Sequence, residues 1–178
     1  LMILAEKATA EKVAFMVRHT TGILCVAMTQ ERARTLHLPL MVEENQDSKK
    51  TAFTVSVDYK VGLTTGVSAT ERANTVRALA DGSVTHSDFI RPGHVFPLIA
   101  DIGGLEARGG HTEAGVALSQ LVGAQPVCLL SEIVNDDGSM ARGESLVAFA
   151  EEHSIPVFSA GEFNVSVLAN PVAPIKDI

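Results

Sequence analysis

A run of five residues stands directly before the apolar pattern with the clearest helical spacing, and its residue types suit an anionic ligand: Arg108, Gly109, Gly110, His111 and Thr112. The start of a helix has free N–H groups and a partial positive charge, so it attracts anions. Glycine lets the backbone approach a ligand closely, and the arginine fork matches a phosphate. His111 could also bind a metal ion through neutral imidazole. The alternative is a glycine turn with Thr112 as the helix cap, but capping requires neither the arginine nor the histidine.

A second group of residues predicts a rigid turn that delivers an arginine and a histidine to the start of a strand: Arg91, Pro92, Gly93 and His94. His94 could act as a general acid or base, because imidazole titrates near neutral pH. It could also be a turn histidine that is hydrogen-bonded to the backbone. Asp88 either orients such a group or caps the turn, and the sequence leaves both alternatives open.

Glu132 lies within a strongly apolar run that predicts a strand over residues 126–134. An unpaired carboxylate is unfavourable inside such a strand. Glu132 therefore either faces solvent by alternation or has a pKa tuned for proton transfer. Leu130 and Val134 share its face of the predicted strand, which favours an inward-facing carboxylate with a functional role.

Two weaker signals have simpler explanations. Residues 64–68 could hold a phosphate before a helix, but a capping box formed by Ser68 and Glu71 already explains Ser68. Cys25 lies in an apolar run, which predicts a core residue.

The elements that must position these residues alternate along the chain between helical and strand patterns. Helices are predicted over residues 9–19, 30–38, 71–81, 112–122 and 142–153. Strands are predicted over residues 22–28, 51–58, 94–100, 126–134 and 155–160. Thr9 and Thr29 are the expected caps of the first two helices. The pattern indicates a single mixed α/β domain.

Composition limits the classes of function that remain. The 178 residues are 46% hydrophobic, which suffices for a proper core. The net charge of −7 argues against nucleic-acid binding, which needs clustered lysine and arginine. No apolar run approaches the roughly 20 residues of a membrane span. Two cysteines in apolar runs and the lack of a signal peptide fit a reduced, cytoplasmic location. Nucleotide-binding and serine-hydrolase motifs are absent from the sequence.

Several segments together resemble the 3,4-dihydroxy-2-butanone 4-phosphate synthase family: GILCVAMT, TAFTVSVD, TTGVSATERANTV, DFIRPGHVFPL, RGGHTEAGVAL and SEIVNDDGSMA. The resemblance covers roughly residues 1–160. It implies an α/β single-domain three-layer α-β-α sandwich with a mixed sheet. It further implies a homodimer that converts D-ribulose 5-phosphate to L-3,4-dihydroxy-2-butanone 4-phosphate and formate with Mg²⁺ or Mn²⁺. The steps would be enolisation, dehydration, skeletal rearrangement and C–C cleavage.

The resemblance also assigns roles to the residues identified above. Residues 108–112 correspond to the segment that binds the substrate phosphate, and His111 to the histidine that binds the metal. His94 and Glu132 match positions essential for catalysis, and Glu132 is also expected to contact the substrate. Cys25 matches a cysteine near the active site of some members. The family's active sites lie near the dimer interface, with residues from both subunits.

The sequence departs from the family at both ends. The family carries an acidic loop immediately before the segment that matches residue 1, and we expect this loop in the natural protein. Residues 164–178 are atypical of the family. Some relatives carry a fused GTP cyclohydrolase II domain. The alternatives to the family activity are a relative that binds sugar phosphate without turning it over, a metal-dependent hydrolase or aldolase, and a purely structural interaction domain.

Overall fold

The computed structural model describes residues 1–158, which form one mixed sheet with helices on both faces. The strands are β1 (Met2–Leu4), β2 (Cys25–Met28), β3 (Ala52–Phe53), β4 (Val57–Tyr59), β5 (Phe89–Ile99) and β6 (Val127–Leu130). The helices are α1 (Ala10–His19), α2 (Gln30–Thr35), α3 (Ala69–Ala80), α4 (Gly104–Ala107), α5 (His111–Leu121) and α6 (Glu144–Glu152). Short 3₁₀ turns cover Ala5–Lys7 and His86–Asp88.

The sheet runs in the order β1-β6-β2-β5-β3, and β4 pairs with β5 beside this path. β2 and β5 are parallel, whereas the other neighbours are antiparallel. A parallel pair needs a long connection. Here that connection carries α2, β3, β4 and α3. The predicted mixed sheet is confirmed.

Alternation along the central strands divides the core into two parts, one on each face of the sheet. On the first face, α1, α2 and α3 cover Val26, Met28, Val127 and Leu129. On the second face, α5 contributes Val116 to a smaller cluster with Cys25, Ala27, Cys128 and Leu130. The predicted three-layer α-β-α sandwich is therefore confirmed.

Helix α5 lies unusually close to the sheet, and one glycine makes this possible. A Cβ at Gly115 would lie 3.0 Å from Cβ of Cys128 and 3.6 Å from Cβ of Ala27. The hydroxyl of Ser119, one turn later, donates to the carbonyl of Gly115 at 2.8 Å. Because Gly115 has no side chain, the backbone of α5 rests directly on β2 and β6.

The five predicted helices form within a few residues of their predicted bounds, and their predicted caps form as expected, whereas α4 was not predicted. The Thr9 hydroxyl accepts from the N–H of Lys12, and Thr29 caps α2 in the same way. Ser68 and Glu71 form the reciprocal capping box at the start of α3. Within residues 1–158, no helix has the length and apolar character needed to span a membrane.

Strand boundaries differ more from the predictions. The strand predicted over residues 51–58 is split into β3 and β4, and the one predicted over 126–134 ends at Leu130. Residues 155–158 have no regular structure, so this part of the last predicted strand is wrong. Residues 159–160 and the atypical segment 164–178 lie outside the described residues.

The predicted turn around His94 is also wrong. β5 begins at Phe89, so Arg91 to His94 lie within the strand. This part of β5 is a strand because β4 pairs with it, through Tyr59 with Phe89 and Val57 with Val95. An irregularity in the pairing between Val57 and Asp58 takes up the extra residues on β5.

Candidate active site

His94 on β5 is paired with an aspartate that the sequence analysis did not single out. Its Nδ1 lies 2.7 Å from Oδ2 of Asp58, and its backbone N–H donates to Oδ1 at 2.9 Å. The Asp58 side chain is 5% exposed, whereas that of His94 is 46% exposed. A carboxylate only accepts hydrogen bonds, so this pairing puts the proton of a neutral imidazole on Nδ1 and leaves a lone pair on the accessible side of the ring, at Nε2. His94 therefore has the arrangement of a general base with an orienting carboxylate.

Asp58 reaches His94 because β4 packs tightly against β5. A Cβ at Gly93 would overlap the backbone of Val57 and Asp58. The N–H of Gly93 donates to the hydroxyl of Ser56 at 3.1 Å, and the hydroxyl of Thr54 donates to the carbonyl of Pro97 at 3.1 Å. The spacing of these three buried polar residues, two apart on one side of a predicted strand, was the signal that could have identified Asp58.

The neighbours Arg91 and Asp88 have structural roles. The Arg91 guanidinium donates to the carbonyl of Leu36 at 2.6 Å and to that of His86 at 3.1 Å. The Asp88 carboxylate accepts from the N–H and the hydroxyl of Thr85 at 2.8 and 2.7 Å. Of the two alternatives for Asp88, the structure supports the cap.

Glu132 lies just beyond the end of β6, and its side chain is exposed. The prediction of an inward-facing carboxylate within the strand is therefore wrong. β6 pairs with β2 only as far as Leu130 and Cys25, and the carbonyl of Glu132 then accepts from Thr21 at 2.9 Å. Burial, and after it the negative charge of Glu132, raise the pKa of the Cys25 thiol to about 12. Cys25 is thus a protonated core residue, as the sequence indicates.

The strand register brings His94 and Glu132 to the same end of the sheet. Cys25 is paired with Phe96 on β5 and with Leu130 on β6. His94 precedes Phe96 by two residues and Glu132 follows Leu130 by two, at the same level along the sheet. Because side chains two apart on a strand share a face, His94 lies on the same face as Phe96, which is the face that carries α5, and Glu132 follows the end of β6.

The start of α5 is uncapped. Gly110 is the N-cap and provides no side-chain hydrogen bond, and the first helical bond joins the N–H of Ala114 to the carbonyl of Gly110. Thr112 is inside the helix and 4% exposed, so the alternative that it caps the helix is wrong. His111 is exposed. Among residues 1–158 no acceptor binds the N–H groups of residues 111–113, which matches the geometry of an anion site.

Arg108 is anchored beside this helix start by three hydrogen bonds. Its Nη1 donates to Oε2 of Glu113 at 2.6 Å, its Nη2 to the hydroxyl of Thr51 at 3.1 Å, and its Nε to the carbonyl of Lys49 at 3.2 Å. Glu113 is buried and also accepts from the N–H of Asp101 at 2.9 Å. A Cβ at Gly110 would overlap this ion pair, whereas one at Gly109 would meet nothing. Each terminal nitrogen of Arg108 retains a second hydrogen for a ligand.

The two groups of predicted residues lie at opposite ends of the sheet within one chain. The Glu113 carboxylate binds the backbone of Asp101, just beyond the end of β5, and His94 is seven residues earlier on that strand. At about 3.3 Å per residue, this is a separation on the order of 20 Å. A single chain therefore brings His94 together with Asp58, but not with the start of α5.

His111, the predicted metal ligand, is exposed at the start of α5, whereas Glu132 lies at the opposite end of the sheet within one chain. Across residues 1–158, no group of three or more histidine, cysteine, aspartate or glutamate side chains is arranged to hold one. Mg²⁺ commonly keeps several waters and takes only one or two protein ligands, so a single imidazole such as that of His111 could be one of them.

The fold and the paired side chains define the class, a three-layer mixed α/β protein with a candidate acid–base site. More specifically, the chain belongs to the 3,4-dihydroxy-2-butanone 4-phosphate synthase family, whose sequence model matches residues 1–163. It is 50% identical over 159 residues to 3,4-dihydroxy-2-butanone 4-phosphate synthase of Proteus mirabilis, covering 89% of this chain and 73% of that protein. It is 49% identical over 162 residues to riboflavin biosynthesis protein RibBA of Chlamydia trachomatis. That match covers 91% of this chain but only 38% of the relative.

Solved structures agree with the family assignment. A crystal structure of 3,4-dihydroxy-2-butanone 4-phosphate synthase in complex with two magnesium ions superposes with a TM-score of 0.90 at 46% identity, covering 94% of this chain and 83% of the other. The Candida albicans synthase superposes with a TM-score of 0.87 at 42% identity, covering 96% and 84%. The fold of residues 1–158 is therefore that of the family.

Proposed function

We propose that this chain catalyses the family reaction, the conversion of D-ribulose 5-phosphate to L-3,4-dihydroxy-2-butanone 4-phosphate and formate. The observation that carries the proposal is the pairing of an accessible His94 with buried Asp58 in a chain of this family. The reaction must move protons on carbons beside a carbonyl, and an oriented imidazole suits that task.

In this proposal His94 takes and returns the proton at Nε2, and Asp58 holds the ring and stabilises the imidazolium. Glu132 supplies a second, solvent-exposed carboxylate at the same end of the sheet. It contacts the substrate and accepts a proton in another step. Two groups with different environments allow the protons of successive steps to be handled separately.

The substrate phosphate binds at the start of α5. In this proposal it accepts from the free N–H groups of residues 111–113 and from the remaining hydrogens of Arg108, and Thr112 is the residue predicted to add a hydroxyl. The Gly109 position is open, so the backbone there can approach an oxygen of the ligand. Binding the charged end of the sugar would orient its reacting carbons.

A divalent metal ion, Mg²⁺ or Mn²⁺, is proposed as the cofactor, with the His111 imidazole as its ligand. A relative has been crystallised with two magnesium ions, which supports the choice. When bound, the ion would polarise the carbonyl oxygen of the sugar and stabilise negative charge on it.

The active enzyme is proposed to be a homodimer in which His94 of one copy faces the start of α5 of the other. The separation of these groups within one chain supports this arrangement, because each group alone lacks part of the site.

Both cysteines are free thiols, which supports a cytoplasmic location.

The acidic loop of the family would add carboxylates to this site. A segment joined to Leu1 would emerge beside Glu132, because the Leu1 amino group donates to the carbonyl of Ser131 at 2.8 Å.

The test is release of formate from D-ribulose 5-phosphate, measured with Mg²⁺, with Mn²⁺ and with EDTA, for the chain with and without the acidic loop. Metal-dependent release supports the proposal. Calorimetric binding of the sugar phosphate without formate release by either form would instead identify a binding relative. Release of a different product would identify a hydrolase or an aldolase.

A further inference from the structure

The loop of residues 64–68, between β4 and α3, is folded around the carboxylate of Glu71. The N–H and the hydroxyl of Thr64 donate to Oε1 at 2.5 and 2.8 Å. Oε2 accepts from the Thr65 hydroxyl at 3.3 Å, the Ser68 N–H at 3.3 Å and the Ser68 hydroxyl at 2.6 Å. These bonds, with one from the Gly66 backbone, hold the pKa of the Glu71 carboxyl well below its usual range.

This arrangement exceeds what a helix cap needs. A capping box requires only the reciprocal bonds between Ser68 and Glu71. The donors on Thr64 and Thr65 lie outside that motif, and they bind the loop itself to the carboxylate. Residues 64–68 therefore do not serve as a phosphate cradle, because the protein's own carboxylate already occupies the donors that a phosphate would use.

The middle of this loop touches the candidate base. Gly66 has a φ of +77°, in the region that favours glycine. The space that its Cβ would fill is taken by Oδ2 of Asp58 and Nδ1 of His94, the two atoms that form the hydrogen bond of the pair. The Gly66 backbone thus packs directly against the two side-chain atoms that form the Asp58–His94 hydrogen bond.

We infer that Glu71 and Gly66 are positioning residues for His94: Glu71 fixes the loop of residues 64–68, and Gly66 holds the Asp58–His94 pair in its geometry. The inference rests on the proposed function, in which His94 exchanges protons with the substrate. A loop that moved by a fraction of an ångström would let Asp58 or the imidazole turn, and the proton would no longer be confined to Nδ1.

The test combines nitrogen-15 NMR of the His94 imidazole with kinetics of formate release in the variants Glu71→Gln and Gly66→Ala. His94→Gln identifies the signal by its loss. The wild-type ring is expected to show a protonated Nδ1 and an unprotonated Nε2. Both variants are expected to show a mixture of tautomers, with kcat reduced roughly 10- to 100-fold and KM little changed.

Asp88→Asn is the matched control. Asp88 is another capping-box carboxylate, and it accepts hydrogen bonds from Thr85 rather than from the loop beside His94. This variant is expected to lose stability while the His94 signals and kcat stay as in the wild type. Thr65→Val removes one loop donor and leaves the cap intact, so it provides the same measurements if Glu71→Gln does not fold.

The inference is overturned if the folded variants keep the wild-type His94 tautomer and a kcat within twofold of the wild type. Glu71 would then be a cap only. The NMR result does not depend on turnover. An inactive wild-type protein would remove the proposed function, while the tautomer in the variants would still decide whether Glu71 and Gly66 position the imidazole.

Discussion

The Asp58 carboxylate uses both oxygens on one residue, one for the imidazole and one for the backbone N–H of His94. A buried carboxylate is stable only when such partners satisfy it. The pair therefore fixes the ring and the strand together. The site therefore requires two acceptor oxygens at residue 58, and a negative charge alone would not be enough.

Asp58→Asn should lower kcat roughly 100-fold or more, because an amide has one acceptor oxygen for two donors and turns its NH₂ group toward one of them. The measurement is the rate of formate release, with circular dichroism to check folding. Asp137→Asn, at an exposed turn where the aspartate binds Ser139, is the control and should leave kcat unchanged. A kcat within a few-fold of the wild type for Asp58→Asn would contradict the assigned role of the pair.

At the scale of elements, α5 depends on the ion pair that anchors its first turn. Glu113 is fully inside the protein and joins Arg108 to the backbone after β5. Two segments distant in sequence, at residues 49–51 and 101, are thereby bound to the start of the helix. The proposed phosphate site is rigid for this reason.

Glu113→Gln should lower the free energy of unfolding by roughly 3 kcal/mol, because it leaves the Arg108 charge without its buried counterion. Urea denaturation measures this loss, and KM for the sugar phosphate should rise in parallel. Glu106→Gln on α4 changes an exposed glutamate and should have neither effect. Equal stability of Glu113→Gln and the wild type would show that the ion pair does not hold the helix start.

The loop around Glu71 predicts a specific response to acid. Its hydrogen bonds lower the folded-state pKa below the ordinary value of 4.5, so the carboxylate stabilises the fold at all pH values above that value. This contribution is lost as the pH falls below about 4.5 toward the folded-state pKa. The difference in Tm between the wild type and Glu71→Gln should be constant above about pH 5 and should shrink below it. A difference that grows on acidification would contradict the direction of the shift.

Helices were predictable from sequence here because their signals are local. Thr9, Thr29 and Ser68 cap the helices that follow them, as their positions indicate. Strand ends were less predictable because the neighbouring strand sets them. β6 ends where β2 begins, at the pair of Leu130 and Cys25, and β5 is long because β4 reaches its first residues.

The residues of the candidate site show the same contrast between local signals, which the sequence displays, and long-range contacts, which it does not. His94, Glu132 and residues 108–112 were identified from residue type and from the family resemblance, and their catalytic roles stay predictions. Asp58 and Glu113 were missed because partners on other segments reveal their roles, His94 for Asp58 and the backbone of Asp101 for Glu113. In the case of Asp58, that partner is 36 residues away.

At the scale of the whole molecule, the separation of His94 from the start of α5 bears on assembly. A C2 dimer repeats each contact twice, so two copies can provide two composite sites. Each site would take its base from one copy and its phosphate-binding residues from the other. The protein should then elute at twice the chain mass of 18.8 kDa.

Complementation tests this arrangement. Inactive His94→Gln and His111→Ala chains, unfolded and refolded together, should regain roughly a quarter of wild-type activity, since half of the dimers are mixed and each mixed dimer has one intact site. Each variant refolded alone is the control and should stay inactive. Lack of recovery in mixed dimers that are shown to form would indicate that both histidines serve the same copy's site.

The close seating of α5 on the sheet links the middle of that helix to its far end. With Gly115→Ala, the new methyl group would meet Cys128, and the helix or the thiol must yield by a few tenths of an ångström. A helix is stiff along its axis, so a lift at residue 115 displaces the amides one turn earlier. Ligand affinity would then weaken, while the tautomer of His94, at the opposite end of the sheet, would stay the same. Residue 115 would thus influence ligand affinity through the position of the helix, without contacting the ligand.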